Sequence, residues 1–405
     1  MKNRWIQLVG SVVAMVMIAN LQYAWTLFVE PIHAARGWKL SDIQTAFTLF
    51  LVFETWIMPI EGWLIDRLGP RFCITIASLL CAIGWTALGY VTTLWQLYLF
   101  YSIAGVGAAF VYSGSIATAL KWFPDKRGLA SGLIAAGFGS GSALFIPLIA
   151  NIIRQQDYRA AFLYTGIFQG VVILIVAQFL RNPGPDFHAS KAAAKIPSIH
   201  VRRNPMQFTS PEMLRTPHFY VLYLMFVMMS TGGLLLTAEA GPLAKEWGIS
   251  MAALTAALSL TRVANGLSRV FWGWVSDRAG RERTMAVGFF LQACCLLSIL
   301  FAGRLSGTLF GVTLVLTYFT WGEVFSVFPP TIGDYFGPTN SASNYSFMYT
   351  AKGVSAILGV RLAAVLFDKF GSWTAAFYGS AMLAFVAGVM AIGLRMSPLP
   401  NKAVS

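Results

Sequence analysis

The chain has 405 residues, of which 57% are apolar and only 11% charged, less than half of the roughly 25% that a soluble globular protein carries. That balance excludes a soluble enzyme, a disordered chain and a disulfide scaffold, and it fits an all-α membrane protein whose lipid-facing residues need not be polar. The net charge of +13 lies mostly in short loops between apolar segments, so it predicts topology and not a nucleic-acid footprint.

A helix needs about 20 apolar residues to cross the hydrocarbon core. Twelve segments meet that length, at roughly 5–29, 42–64, 72–90, 95–120, 127–153, 160–180, 218–240, 250–275, 284–302, 307–330, 342–367 and 373–395. The stretch 181–217 holds Arg181, Lys191, Lys195, Arg202, Arg203, Arg215 and several prolines, and reads as a cytoplasmic linker. It divides an N-terminal six-helix half, 1–180, from a C-terminal one, 218–405. With both termini placed in the cytoplasm, eighteen Lys and Arg fall inside and seven outside, which supports that orientation. The first apolar stretch is too long for a cleavable signal peptide and lacks a small-residue exit. Cys73, Cys81, Cys294 and Cys295 have neither metal-ligand nor redox spacing and read as packing residues. No cofactor, metal or nucleic-acid partner is implied. The only non-substrate partner implied is the lipid bilayer, and no soluble assembly domain argues against a monomer.

The two sets of spans repeat. Gly62-Trp63-Leu64-Ile65-Asp66-Arg67-Leu68-Gly69 follows the second span, and Gly273-Trp274-Val275-Ser276-Asp277-Arg278-Ala279-Gly280 follows the eighth. Both read G-W-x-x-D-R-x-G, 211 residues apart, in equivalent inside loops. Parallel repeats of this kind suit a transporter that rocks one half against the other. The glycines Gly62, Gly69, Gly273 and Gly280 permit close approach and a tight turn. Asp66, Arg67, Asp277 and Arg278 can pair across the contact or cap a neighbouring helix end.

Charges inside the apolar spans are functional candidates, because each costs about 2.5–3.5 kcal/mol on insertion scales. The cations are Arg262, Arg269, Lys352 and Arg361, the last a candidate for snorkelling. The clear mid-span acids are Glu54 and Glu323. Arg262 and Arg269 are seven residues apart and share a helix face. Arg offers a planar fork to one carboxylate and Lys a compact charge to another, so a small dicarboxylate is the natural ligand. Counting depth alone places Arg262 nearer the midplane than Arg269. Glu54 or Glu323 could pair with one of these cations, Arg262 before Lys352 or Arg269, and Glu323 is also a candidate for proton coupling. That leaves a proton-coupled monocarboxylate symporter, carrying a lactate-like or pyruvate-like anion, as the alternative function. Glycines 132, 137, 139 and 141 with Pro147 in the fifth span, and Pro329-Pro330 in the tenth, suit close packing or a hinge. An enzyme is not expected: the four histidines lie in loops or at span ends, and neither H-E-x-x-H nor G-x-S-x-G occurs.

The loop motif, its second copy and the basic linker together resemble the major facilitator superfamily. A finer resemblance lies in Gln22-Tyr23-Ala24-Trp25-Thr26-Leu27, Gln44-Thr45-Ala46-Phe47-Thr48-Leu49, the run from Lys121 to Gly132, Trp321-Gly322, Arg269 and Lys352. These look like the bacterial oxalate:formate antiporter family. The resemblance implies the major facilitator fold, an inner-membrane location, and exchange of small carboxylate anions by alternating access. It implies Arg269 and Lys352 as the substrate cations, with Gln22, Tyr23, Tyr112 and Trp321 lining the site. Phe138, Phe325 and Tyr349 occupy site positions where the family pattern has two tyrosines and a tryptophan, and Glu54, Arg262 and Glu323 are charges it lacks. An empty site with Arg269 and Lys352 unneutralised would resist closing, and so would enforce exchange.

Overall fold

In the computed structural model, residues 4–123, 127–183, 201–337 and 339–401 are described. They form helices and turns, with no strand among them. Among the described residues, eleven helices are long and apolar enough to cross a membrane. They are α1 (Arg4–Tyr23), α2 (Leu40–Glu61), α3 (Pro70–Ala87), α4 (Leu94–Trp122), α5 (Gly132–Gln155) and α6 (Tyr158–Phe179), then α7 (Pro217–Glu246), α9 (Arg281–Gly303), α10 (Gly307–Phe336), α11 (Ser343–Phe370) and α12 (Thr374–Met396). Between α7 and α9 runs α8, Met251–Ala279. At 29 residues it is long enough, but it is not among the eleven. The reason is chemical: α8 carries Arg262, Asn265 and Arg269 along one buried face. The sequence predicts it as one of twelve apolar spans; it falls short of the other eleven in apolar character because of these polar residues.

Helix ends follow local side chains. Thr93 and Gln96 close a capping box at the start of α4, and Asp157 accepts from the Ala160 amide at 2.7 Å before α6. Ser250 and Ser306 do the same for α8 and α10. Gly69 and Gly280, which end the two helices that carry the motif copies, have φ of 80° and 92°, where a side chain would be strained. Several long helices are interrupted. α1 breaks at Ala24–Trp25 and continues as Thr26–Arg36. α5 tightens to a 3₁₀ turn at Gly141–Ala143, and α9 and α11 widen to π turns at Ile299–Gly303 and Ile357–Leu362. α10 breaks at Gly322–Glu323.

The molecule is apolar outside, and a group of polar side chains is buried within its apolar core. Leu144, Phe168, Leu267, Met382 and Phe385 are exposed, as lipid-facing residues should be. Gln22, Gln44, Glu54, Arg262, Asn265, Arg269 and Lys352 are buried. They lie where the helices before the linker meet those after it. Of the linker, Lys191 and Lys195 lie outside the described residues. Its later part docks on the C-terminal helices: Arg202 donates to the carbonyls of Arg395 and Ser397, and the Asn204 and Phe208 amides donate to Asp334 and Phe336. Arg361 is exposed, consistent with a snorkelling residue, and Cys73 and Cys81 are buried packing residues.

Candidate functional site

The break in α1 is held from three sides. Trp25 donates to the Gln44 side chain at 2.9 Å, Gln44 donates onward to the Ala238 carbonyl at 3.0 Å, and Tyr101 donates to the Leu21 carbonyl at 2.6 Å. These bonds fix Gln22 and Tyr23 at the centre of the molecule, where both are buried.

Lys352 of α11 reaches across to this point. Its ammonium donates to Gln22 Oε1 at 2.7 Å and to Glu54 Oε2 at 2.8 Å, and it lies 3.5 Å from the Tyr349 hydroxyl. It sits over the rings of Phe138 and Tyr349 at 5.6 and 5.4 Å. Arg269 of α8 also crosses to the N-terminal helices. It donates to the Ala135 carbonyl at 3.0 Å and lies 4.7 Å over the Phe325 ring, while its Nε is buried without a hydrogen-bond partner.

An aromatic cage joins the two cations. Tyr349 stacks on Tyr112 at 5.6 Å, Tyr112 meets Phe138 edge-on at 5.5 Å, and Phe138 lies 5.4 Å from Tyr23. Phe325 stands 6.3 Å from Tyr349 and 5.1 Å from Trp321. Ring faces favour cations, so the cage holds both charges without neutralising either. The sequence-read set Gln22, Tyr23, Tyr112, Phe138, Trp321, Phe325 and Tyr349 therefore converges with Arg269 and Lys352.

Arg262 lies about two helical turns before Arg269 on the same face. Its guanidinium is sandwiched between the rings of Tyr23 and Tyr318, at 4.3 and 4.0 Å, and its Nη1 is buried without a hydrogen-bond partner. The expected ion pair of Arg262 with Glu54 or Glu323 is not formed. Glu54 turns to Lys352 instead. Glu323 lies in the break in α10 and aims at α9, where Gly288 has no side chain and leaves room for its carboxyl. Both Glu323 oxygens are buried without a hydrogen-bond partner. The picture of an empty site with Lys352 unneutralised is corrected by the Lys352–Glu54 pair.

Two contributors escaped the sequence reading. Tyr318 completes the sandwich on Arg262, and Asn265 lies on the Arg262–Arg269 face, 3.5 Å from the Tyr23 hydroxyl. Helical spacing from Trp321 and from the two arginines could have found both.

The chain matches the Major Facilitator Superfamily over residues 10–239 and 220–405. It belongs to that superfamily. It is 39% identical to the oxalate:formate antiporter of Oxalobacter formigenes over 96% of this chain and 91% of that one. It is 25% identical to monocarboxylate transporter 12 of Xenopus laevis, over 79% of this chain and 73% of that one. Among solved structures, a bacterial homologue of the human lysosomal transporter Spinster, in an inward-facing and unoccupied conformation, shares the fold, with a TM-score of 0.71 at 14% identity over 96% and 95% of the two chains.

In this superfamily member the motif copies differ from expectation: residues 62–68 and 273–279 are helical and not loops, and only Gly69 and Gly280 leave the helix. Arg278 of the second copy lies 4.0 Å over Trp274. Asp277 pairs with Arg281 at 2.8 Å, and Arg281 also binds Asp334 at 2.9 Å. Arg281, just outside the motif, is thus the hub, with Arg203 adding a longer contact to Asp334 at 3.4 Å. The network ties α8, α9, α10 and the linker together. A Cβ at Gly273 would meet the Ser326 Cβ at 3.9 Å, an ordinary contact, so no close approach requires a glycine there among the described residues. In the first copy Arg67 is exposed, and the surroundings of Gly62 and Asp66 lie outside the described residues.

Proposed function

We propose that this membrane transporter exchanges small carboxylate anions of the oxalate and formate kind by alternating access. It does so as a monomer of twelve spans in the inner membrane of a bacterium. The two six-helix halves are 1–180 and 218–405, joined by the linker 181–217, with both termini cytoplasmic. α8 then counts as the eighth span, its polar face turned to the substrate.

The observation that carries this reading is the pair Arg269 and Lys352, buried in one aromatic cage where the halves meet. Buried charge without substrate is costly, so the cage is built for an anion. Charge counting favours a dianion. Arg262, Arg269 and Lys352 with Glu54 leave the site at +2, which a dicarboxylate neutralises and a monocarboxylate halves. The relative named for oxalate and formate, at 39% identity, supports the same substrate class. A monocarboxylate relative is more distant, at 25%.

The test is uptake of labelled oxalate into proteoliposomes loaded with oxalate, formate or buffer, with and without an inward proton gradient. Uptake that internal anion strongly accelerates and that ignores the gradient is expected. Gradient-driven uptake of lactate or pyruvate with oxalate ignored would replace this reading by proton symport.

A further inference from the structure

The charge that meets Lys352 is not where a carrier relying on substrate alone would have it. Glu54 belongs to α2 and Lys352 to α11, 298 residues apart, and the two are almost wholly enclosed. Only one carboxylate oxygen is engaged. Glu54 Oε1 is buried without a hydrogen-bond partner, as is Nε2 of Gln22, the other residue on the ammonium. Trp56 of α2 donates to the Thr350 carbonyl of α11 at 3.1 Å, so the two helices are already drawn together around the pair. A carboxylate bound to the chain thus occupies the place beside Lys352 that a carboxylate of the substrate would take.

We propose that Glu54 is a tethered stand-in for the substrate's carboxylate. It lets the empty carrier close and reorient, so that net transport accompanies exchange. The proposal rests on the carboxylate-exchange reading above. With Glu54 in place the empty site carries +2, and without it +3. A loaded site is neutral with a dianion, so exchange stays the faster mode and empty return the slower one. Binding substrate at Lys352 requires Glu54 to yield, by swinging aside or by sharing the ammonium, so the tether also weakens apparent affinity. Glu54 is a positioning residue in this scheme: it acts on the substrate through Lys352.

The experiment measures two rates in proteoliposomes preloaded with labelled oxalate. One is efflux into anion-free buffer and the other is efflux into unlabelled oxalate. The wild-type protein should show slower but measurable net efflux. In Glu54→Gln the ratio of net efflux to exchange should fall about ten-fold, and the half-saturating oxalate concentration should fall with it. Glu54→Asp, which keeps the charge on a shorter arm, should lie between the two, and it serves as the test if the Gln variant fails to insert. An unchanged or higher ratio in variants that still exchange overturns the proposal and leaves the carboxylate reading standing. Wild-type vesicles that exchange no carboxylate overturn both.

Discussion

At the scale of single residues, the energetics of the site turn on which buried polar atoms lack partners. Breaking a buried ion pair by removing one member costs about 3–5 kcal/mol, because the other charge is left behind. Lys352→Gln strands Glu54, whose other oxygen is already without a partner. The expected result is loss of transport together with a lower melting temperature in detergent. The double change Glu54→Gln with Lys352→Gln removes both charges, and should recover the melting temperature but not transport. Recovery of transport in the double variant would show that Lys352 does not hold substrate. Arg269 differs in kind. Its planar fork donates to the Ala135 carbonyl and lies over Phe325, geometry that an ammonium cannot copy. Arg269→Lys should therefore insert normally and lose about 100-fold in oxalate uptake; near-normal uptake would place the substrate elsewhere.

At the scale of helices, the contact of α9 with α10 depends on a missing side chain. A Cβ on Gly288 would run into the Glu323 carboxyl. Gly288→Ala should destabilise the protein by about 1–3 kcal/mol through overpacking, read as a lower melting temperature. Adding Glu323→Ala should relieve it, whereas a Glu323 that points elsewhere would give no such rescue. The apolar runs of the eleven helices were legible in the sequence because lipid demands them, and so was the content of the cage, because charge inside a span is rare. The pairing within it was not. Whether Glu54 meets Arg262 or Lys352 depends on the rotation and offset of α2 against α8 and α11, which neighbouring helices set and periodicity does not encode. Arg281 was passed over for a related reason: it lies one residue beyond the motif, and its partner Asp334 is 53 residues away on α10.

At the scale of the whole molecule, the site is closed toward both ends, and the two closures differ in strength. On the motif side of the cage, Tyr112 stacks on Tyr349 and Trp56 binds the Thr350 carbonyl. At the opposite end, Lys245 bridges Glu30, and the Ser41 amide donates to Asp368 at 3.2 Å. The Lys245 side chain is 65% exposed, so that bridge is worth about 0–1 kcal/mol and cannot hold the end shut. The stronger element lies deeper. The Gly241 amide donates to Thr26 Oγ1 at 2.6 Å, and a Cβ at Gly241 would collide with the Thr26 carbonyl. The helix continuing α1 can therefore lie against α7 only while position 241 has no side chain. Gly241→Val should act as a wedge, opening this end while the Trp56–Thr350 contact persists. Spin labels at Ser41 and Asp368, both outside the wedge, should separate by about 5 Å, as expected for a rigid-body swing of one bundle against the other. Exchange should slow, because a carrier held open at one end cannot complete the cycle. An unchanged label distance would show that this end closes by local adjustment of α1 and α7, and that the swing is not limited by the Gly241 contact.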